Sequence, residues 1–269
     1  MTLLKINKDE IFWYKISGEG EPLVHIHGSA FGHKNFEKMT PYMLNKFQVI
    51  DFDLIGYGDS KGKNRQGGIE GIADQVSDFI KALKFSKVHI HGTSFGAMVG
   101  IIIAYKYPEL IDKLVLSCFL TKYDNAARMM RDTWKRAALE SGMDAVADLT
   151  AVAGFARSFY DRNEASHQLE SMREAFKRTT PDAFISGTKM IEKSDLSHMA
   201  NEITLPILIL SGDEDNMTPF KPSQSGSGMF EFSKDTPNCQ VEVIEKCGHY
   251  LVIEQPKIAT DLIIKFLKK

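Results

Sequence analysis

The chain has 269 residues, 43% of them hydrophobic, enough for one large core with room for an inserted lobe. With 33 Lys and Arg against 35 Asp and Glu the formal net charge is −2, so no basic surplus points to nucleic acid or an anionic membrane surface. Cys118, Cys239 and Cys247 are too few, and odd in number, for a disulfide framework, and Met1-Thr2-Leu3-Leu4-Lys5 turns polar too soon for a signal peptide. No apolar run is long enough to cross a bilayer. The expectation is a soluble, cytoplasmic protein with reduced thiols.

In chain order, residues 3–6 and 11–16 predict paired strands around Asn7-Lys8-Asp9. The apolar runs 23–27 and 47–52 have the character of buried strands. Ile69, Ile72, Ala73, Val76, Phe79, Ile80 and Leu83 repeat at helical spacing and predict an amphipathic helix over 69–84. A short strand at 88–90 leads into Gly92-Thr93-Ser94-Phe95-Gly96 and then an apolar helix. Pro108 should end that helix at Tyr107. Residues 113–117 are another strand. Such alternation argues for a parallel sheet with helices on both faces.

Between 121 and 200 the strand-like runs vanish and helical spacing takes over, as in Met130, Trp134 and Ala138. Strands resume at 205–210 and 241–244, and a closing helix runs from 256 to 269. The reading is an α/β core of residues 1–120 and 201–269, interrupted by a helical cap at 121–200. The biased stretch Ser223-Gln224-Ser225-Gly226-Ser227-Gly228 should weaken any helix that holds it.

The Gly-x-Ser-x-Gly segment places Ser94 on a tight strand-to-helix turn, exposed at a helix N-terminus where backbone N–H groups favour negative charge. A serine there needs a base, an orienting acid and an oxyanion site. His249, after the last strand, is the base candidate, since an imidazole can take and return a proton near neutral pH. Asp215, after the strand at 207–210, is the acid candidate, with Asp213 and Glu214 as rivals. The turn His27-Gly28-Ser29-Ala30 leaves backbone N–H groups at the same sheet edge, so the N–H groups of Ser29 and Phe95 are the oxyanion candidates. The pairs His25/His27 and His89/His91 each share one face of a strand. No carboxylate or thiolate accompanies them at ligand spacing, so they read as buried, hydrogen-bonded histidines rather than a metal site. His33, His167 and His198 read as surface or pocket-wall residues.

The ordered motifs His27-Gly28, Asp53-Leu54-Ile55-Gly56-Tyr57-Gly58-Asp59-Ser60, Gly92-Thr93-Ser94-Phe95-Gly96, Gly212-Asp213-Glu214-Asp215 and Gly248-His249 resemble the α/β-hydrolase superfamily. The resemblance implies a mostly parallel eight-stranded sheet, a helical cap after the sixth strand, and the triad Ser94, Asp215 and His249. It selects Asp215 over Asp213, gives Asp53 and Asp59 a shape-holding role, and implies no metal and no cofactor. Family members usually carry an uninterrupted helix where this chain has the Ser/Gly stretch.

In size and cap, residues 134–147, Arg157-Ser158-Phe159 and Ser194-Asp195-Leu196 are similar to the small esterases and enol-lactonases. That likeness makes Arg157 a partner for a substrate carboxylate, the alternative being a surface salt bridge. Phe31, Trp134, Phe159 and Met190 are further pocket candidates. The expectation is a serine hydrolase that opens a small ester or lactone through an acyl-enzyme. It takes a small-molecule substrate, with no nucleic acid and no membrane as partner, and monomer and homodimer both stay open. Two alternatives stand: carbon–carbon hydrolysis of vinylogous diketones, which Cys247-Gly248-His249 resembles by one residue, and a non-catalytic small-molecule binder on the same scaffold.

Overall fold

The structure, a computed structural model, describes residues 2–269. Its sheet strands are β1 (Thr2–Asn7), β2 (Glu10–Ser17), β3 (Glu21–Ile26), β4 (Phe47–Phe52), β5 (Val88–Thr93), β6 (Ile111–Ser117), β7 (Ile207–Gly212) and β8 (Cys239–Ile244). Their spatial order is β1-β2-β4-β3-β5-β6-β7-β8, and a two-residue ninth strand, Lys61–Gly62, pairs with β2. Only the pairings of β2, with β1, β4 and Lys61–Gly62, are antiparallel; β4, β3 and β5 to β8 run parallel. Every residue of β5 and β7 is buried. That is why these two strands read as apolar runs without alternation.

Helix α1 (Ile69–Ala82) turns its apolar stripe, Ile69, Ile72, Ala73, Val76, Phe79 and Ile80, to the sheet. Helix α2 (Phe95–Lys106) is buried from Phe95 through Ala104, so its sequence is apolar all round. It ends just before Tyr107 and Pro108, as proline geometry requires. Four helices then lie between β6 and β7: α3 (Asn125–Glu140), α4 (Met143–Gly154), α5 (Ala165–Lys177) and α6 (Pro181–Lys193). Their apolar faces share a cluster with Ala30, Phe31, Met217 and Tyr250 from the loops at the strand ends. After β7 come α7 (Met229–Asp235), and after β8 come α8 (Leu251–Glu254) and α9 (Pro256–Leu267). Ala259, Ile263 and Phe266 of α9 cover the sheet face opposite α1 and α2.

The Ser/Gly stretch departs from the expectation of a weakened helix. Ser227–Gly228 pairs antiparallel with Leu120–Lys122, and α7 starts only at Met229. Ser223 N donates to Asp124 Oδ2 (3.1 Å) and Asn125 N donates to Ser225 Oγ (3.1 Å). The segment thus fastens the start of α3, where Asp124 also accepts from Ala127 N as the helix cap (2.8 Å). Among the described residues, no helix is long and apolar enough to cross a membrane.

Candidate active site

Ser94 has φ 54° and caps the N-terminus of α2. A positive φ is costly for a serine and holds only because the turn is fixed on both sides. Ser94 N donates to Ser117 O at the end of β6 (2.8 Å). The turn also brings backbone against backbone: a Cβ on Gly96 would collide with Ile26 O, and one on Gly92 with Gly96 O. The two glycines of the motif are therefore required by close approach.

The register Ile26↔Gly92 sets the loop after β3 beside this turn. A Cβ added to Gly28 would stand 3.4 Å from Ser94 Cβ. His27 shapes the loop. Its Nε2 accepts from Leu54 N (2.9 Å), so its Nδ1 carries the proton and donates to Gly28 O (2.7 Å). Burial first of all depresses the His27 pKa, in keeping with a neutral ring. Asn35 Oδ1 accepts the N–H of Gly28 (2.8 Å), and among the described residues the N–H of Ser29 has no acceptor. The Phe95 N–H, in the first turn of α2, also has none.

Asp215 and His249 follow β7 and β8, whose parallel register ends at Ile244↔Gly212. His249 Nδ1 lies 3.0 Å from Asp215 Oδ2. Thr218, which the sequence reading missed, closes this contact into a triangle. Its hydroxyl donates to Asp215 Oδ2 (2.7 Å) and lies 3.0 Å from His249 Nδ1. The N–H groups of Met217 and Thr218 both donate to Asp215 Oδ1 (2.9 Å each). Burial raises the Asp215 pKa, but the adjacent imidazole and the Thr218 donors outweigh it, and the carboxyl sits below its ordinary value. Asp213 instead accepts from Cys247 N (3.1 Å), and Glu214 from Arg157 N (2.9 Å). Of the three rivals, Asp215 is the one that reaches the imidazole.

Cys118 Sγ lies within 4.8 Å of the ligating atoms of Asp215 and His249. Burial pushes its thiol well up, so it stays protonated, and Asp215 already accepts three hydrogen bonds. This donor set suits packing rather than a cation. Cys247 is fully buried, with a raised thiol pKa, and packs under the His249 loop.

Ser94, Ser29 and His249 line one narrow cavity of about 20 Å³. Phe31 and Trp134 line it as well; Phe159, Met190 and Arg157 do not. Phe159 is stacked on Phe155 (4.0 Å between centroids) inside the helical layer. Met190 points to a separate groove beside Gly67 and Gly68. Arg157 is exposed at the start of a 3-10 turn, where its backbone meets Glu214. Arg131, Met217 and Tyr250 take their places in the wall. The sequence held a signal for Arg131: it falls in the buried stripe Ala127, Arg131, Trp134, Ala138 of α3, where an apolar residue is the norm.

Four of the six remaining histidines have local polar partners. His25 Nδ1 is 2.8 Å from Asp51 Oδ1, and His91 Nε2 is 2.8 Å from Ser117 Oγ. His89 stands 3.5 Å from Asp112 and 3.7 Å from Glu21. His33 bonds to Asp53 (2.9 Å) and stacks on Trp13, while His167 and His198 are exposed. Asp53 also accepts from the N–H groups of His33 and Asp59, so it holds its loop.

The fold that carries this site is that of a known family. The model of the alpha/beta hydrolase fold matches residues 21–256, and the chain belongs to that family. It is an alpha/beta hydrolase. It is 25% identical over 264 residues to 2-hydroxy-6-oxo-2,4-heptadienoate hydrolase of Pseudomonas putida, covering 93% of this chain and 90% of that one. To human monoacylglycerol lipase ABHD6 it is 24% identical over 263 residues, 93% of this chain and 76% of the lipase. The enol-lactonase of Burkholderia xenovorans LB400 superimposes with a TM-score of 0.86 at 21% identity, over 97% of each chain.

Proposed function

We propose that this protein is a serine hydrolase that cleaves a small ester or lactone, with Ser94 as nucleophile, His249 as base and Asp215 as the orienting acid. The observation that carries the reading is that His249, held by Asp215 and Thr218, lines the same cavity as the strained Ser94.

The steps follow from the groups present. His249 takes the Ser94 hydroxyl proton as Oγ attacks the carbonyl carbon. Asp215, an anion in this site, stabilises the imidazolium that forms. The free N–H groups of Ser29 and Phe95 receive the developing oxyanion, each worth about 3 kcal/mol of barrier. When the C–O bond breaks, His249 returns the proton to the leaving alcohol, which in a lactone stays tethered to the acyl group. A water, deprotonated by His249, then attacks the acyl-enzyme and frees Ser94. Phe31, Trp134 and Met217 give this cavity apolar walls, which suit the apolar portion of a substrate.

The likeness to a 2-hydroxy-6-oxo-2,4-heptadienoate hydrolase supports a second reading, carbon–carbon cleavage of a diketone at the same serine. A panel of short aryl esters, lactones and one dienol-diketone, run with native protein and Ser94→Ala, separates the two. Turnover of esters or lactones that disappears in Ser94→Ala is the expected result. Turnover of the diketone alone would establish the second reading. No turnover at all would leave the scaffold as a binder.

A further inference from the structure

Three residues other than glycine hold a positive φ where the central strands end: Ala30 (71°) after β3, Ser94 (54°) after β5 and Cys118 (52°) after β6. A left-handed backbone is costly for a residue with a Cβ and persists only where its surroundings over-determine it. For Ser94 and Cys118 the sheet does this. Ser94 N donates to Ser117 O (2.8 Å), and Cys118 N donates to Leu210 O (3.0 Å). Ala30 lies past the last paired residue of β3, Ile26. Among the described residues its backbone makes no such bond to the sheet.

Ala30 is held from the helical layer instead. The hydroxyl of Thr179, in the joint between α5 and α6, donates to Ala30 O (3.2 Å). Thr179 is 2% exposed and Ala30 1%, so neither group can turn to water in place of the other. The joint is itself fixed. Thr179 N donates to Phe176 O (2.9 Å), and the Phe176 ring meets Phe31 edge-on with 5.0 Å between centroids. Arg178 Nη2 donates to Asp59 Oδ2 (2.7 Å) in the loop after β4.

Ala30 is the chain neighbour of Ser29. On the core side, His27 Nδ1 holds Gly28 O (2.7 Å) and Asn35 Oδ1 holds Gly28 N (2.8 Å), which fixes the start of the turn. On the far side the hold is Thr179. A donor stabilises a developing oxyanion only if it is aimed beforehand, because a donor that must first reorganise loses much of its effect. Resting on the reading of the Ser29 N–H as an oxyanion donor, we propose that Thr179 is a positioning residue for it. Thr179 pins the strained Ala30, keeps the Ser29 N–H aimed into the cavity, and so makes the helical layer a structural part of the oxyanion site. It acts through the loop alone, since Thr179 does not line the cavity.

The test has a spectroscopic arm and a kinetic arm. In nitrogen-15-labelled protein the Ser29 amide resonance should shift and broaden in Thr179→Val and return to its native position in Thr179→Ser. With p-nitrophenyl acetate, Thr179→Val should lower kcat and kcat/KM alike by about tenfold and leave KM unchanged, the mark of an interaction made only in the transition state. That loss is smaller than the roughly 100-fold or more of deleting a donor outright. Thr179→Ser should recover most of the rate. Full activity in folded Thr179→Val overturns the proposal, as does a loss confined to KM, a loss that serine does not repair, or an unmoved Ser29 amide. Should Thr179→Val not fold, Thr179→Ala is measured in its place. If the native protein does not hydrolyse the ester, or Ser94→Ala hydrolyses it equally fast, the serine-hydrolase reading fails. The amide arm then decides alone whether Thr179 holds the loop.

Discussion

His249 Nδ1 sits 3.0 Å from Asp215 Oδ2, and no other carboxylate of the acidic turn makes that contact. If this pair orients the base, removing either member should be severe. Asp215→Asn and His249→Ala are each expected to lower kcat by about 10⁴-fold. Asp213→Asn should cost far less, since Asp213 supports only the Cys247 N–H. Steady-state kinetics on proteins with native circular dichroism checks the order. A crippling Asp213→Asn beside a mild Asp215→Asn would show the wrong acid has been chosen.

Thr218 donates to the carboxylate and touches the ring nitrogen it orients. Thr218→Val keeps the shape and removes both contacts. The expected loss is about 1 kcal/mol of stability and up to about tenfold in kcat. Thr218→Ser should restore most of both. Urea unfolding and kinetics measured together distinguish this from simple packing damage, which serine would not repair.

The close approach at the serine turn makes a prediction about stability. A Cβ at residue 96 would meet the Ile26 carbonyl, part of the central sheet rather than a movable side chain. Gly96→Ala should therefore cost about 3 kcal/mol or more, or abolish soluble expression. Denaturant midpoints test it. A near-neutral effect would mean that the turn can relax.

Glu254 gives the fold a pH dependence near neutrality. Its buried carboxylate accepts from Gly248 N and Ala156 N (3.0 Å each) and so ties the His249 loop to the chain following α4. Burial raises its pKa from 4.5 to about 7, despite these two donors. The folded protein thus holds this proton more tightly than the unfolded chain. The resulting stabilisation is complete below about pH 4.5 and is lost as pH rises through about 7. Glu254→Gln should flatten the stability profile across that window, while giving up one hydrogen bond because the amide nitrogen that replaces one oxygen cannot accept. Thermal or urea unfolding from pH 4.5 to 8 measures it. An unchanged profile would assign the pH dependence to other groups.

The core could be read from sequence because its signals are local. An uninterrupted apolar run makes a strand buried on both faces, and the 3.6-residue stripe of Ile69 to Leu83 makes a helix, whatever lies beyond them. The placement of Ser94, Asp215 and His249 followed from where strands end. The walls above them did not. Whether Arg131, Arg157, Phe159 or Met190 turns inward depends on how α3 to α6 pack on the sheet, which no short window of sequence encodes. Thr218 escaped for the same reason: its contacts with Asp215 and His249 exist only once the loops after β7 and β8 have met. The Ser/Gly stretch looked like damage to a helix, and it is a strap on the start of α3.

The nucleophilic role of Ser94 is tested most directly by treating the folded protein with a fluorophosphonate and locating the adduct by peptide mass spectrometry. The account predicts stoichiometric modification of Ser94, absent from Ser94→Ala and strongly slowed in His249→Ala. An unlabelled native protein, or a label carried by another residue, would contradict it.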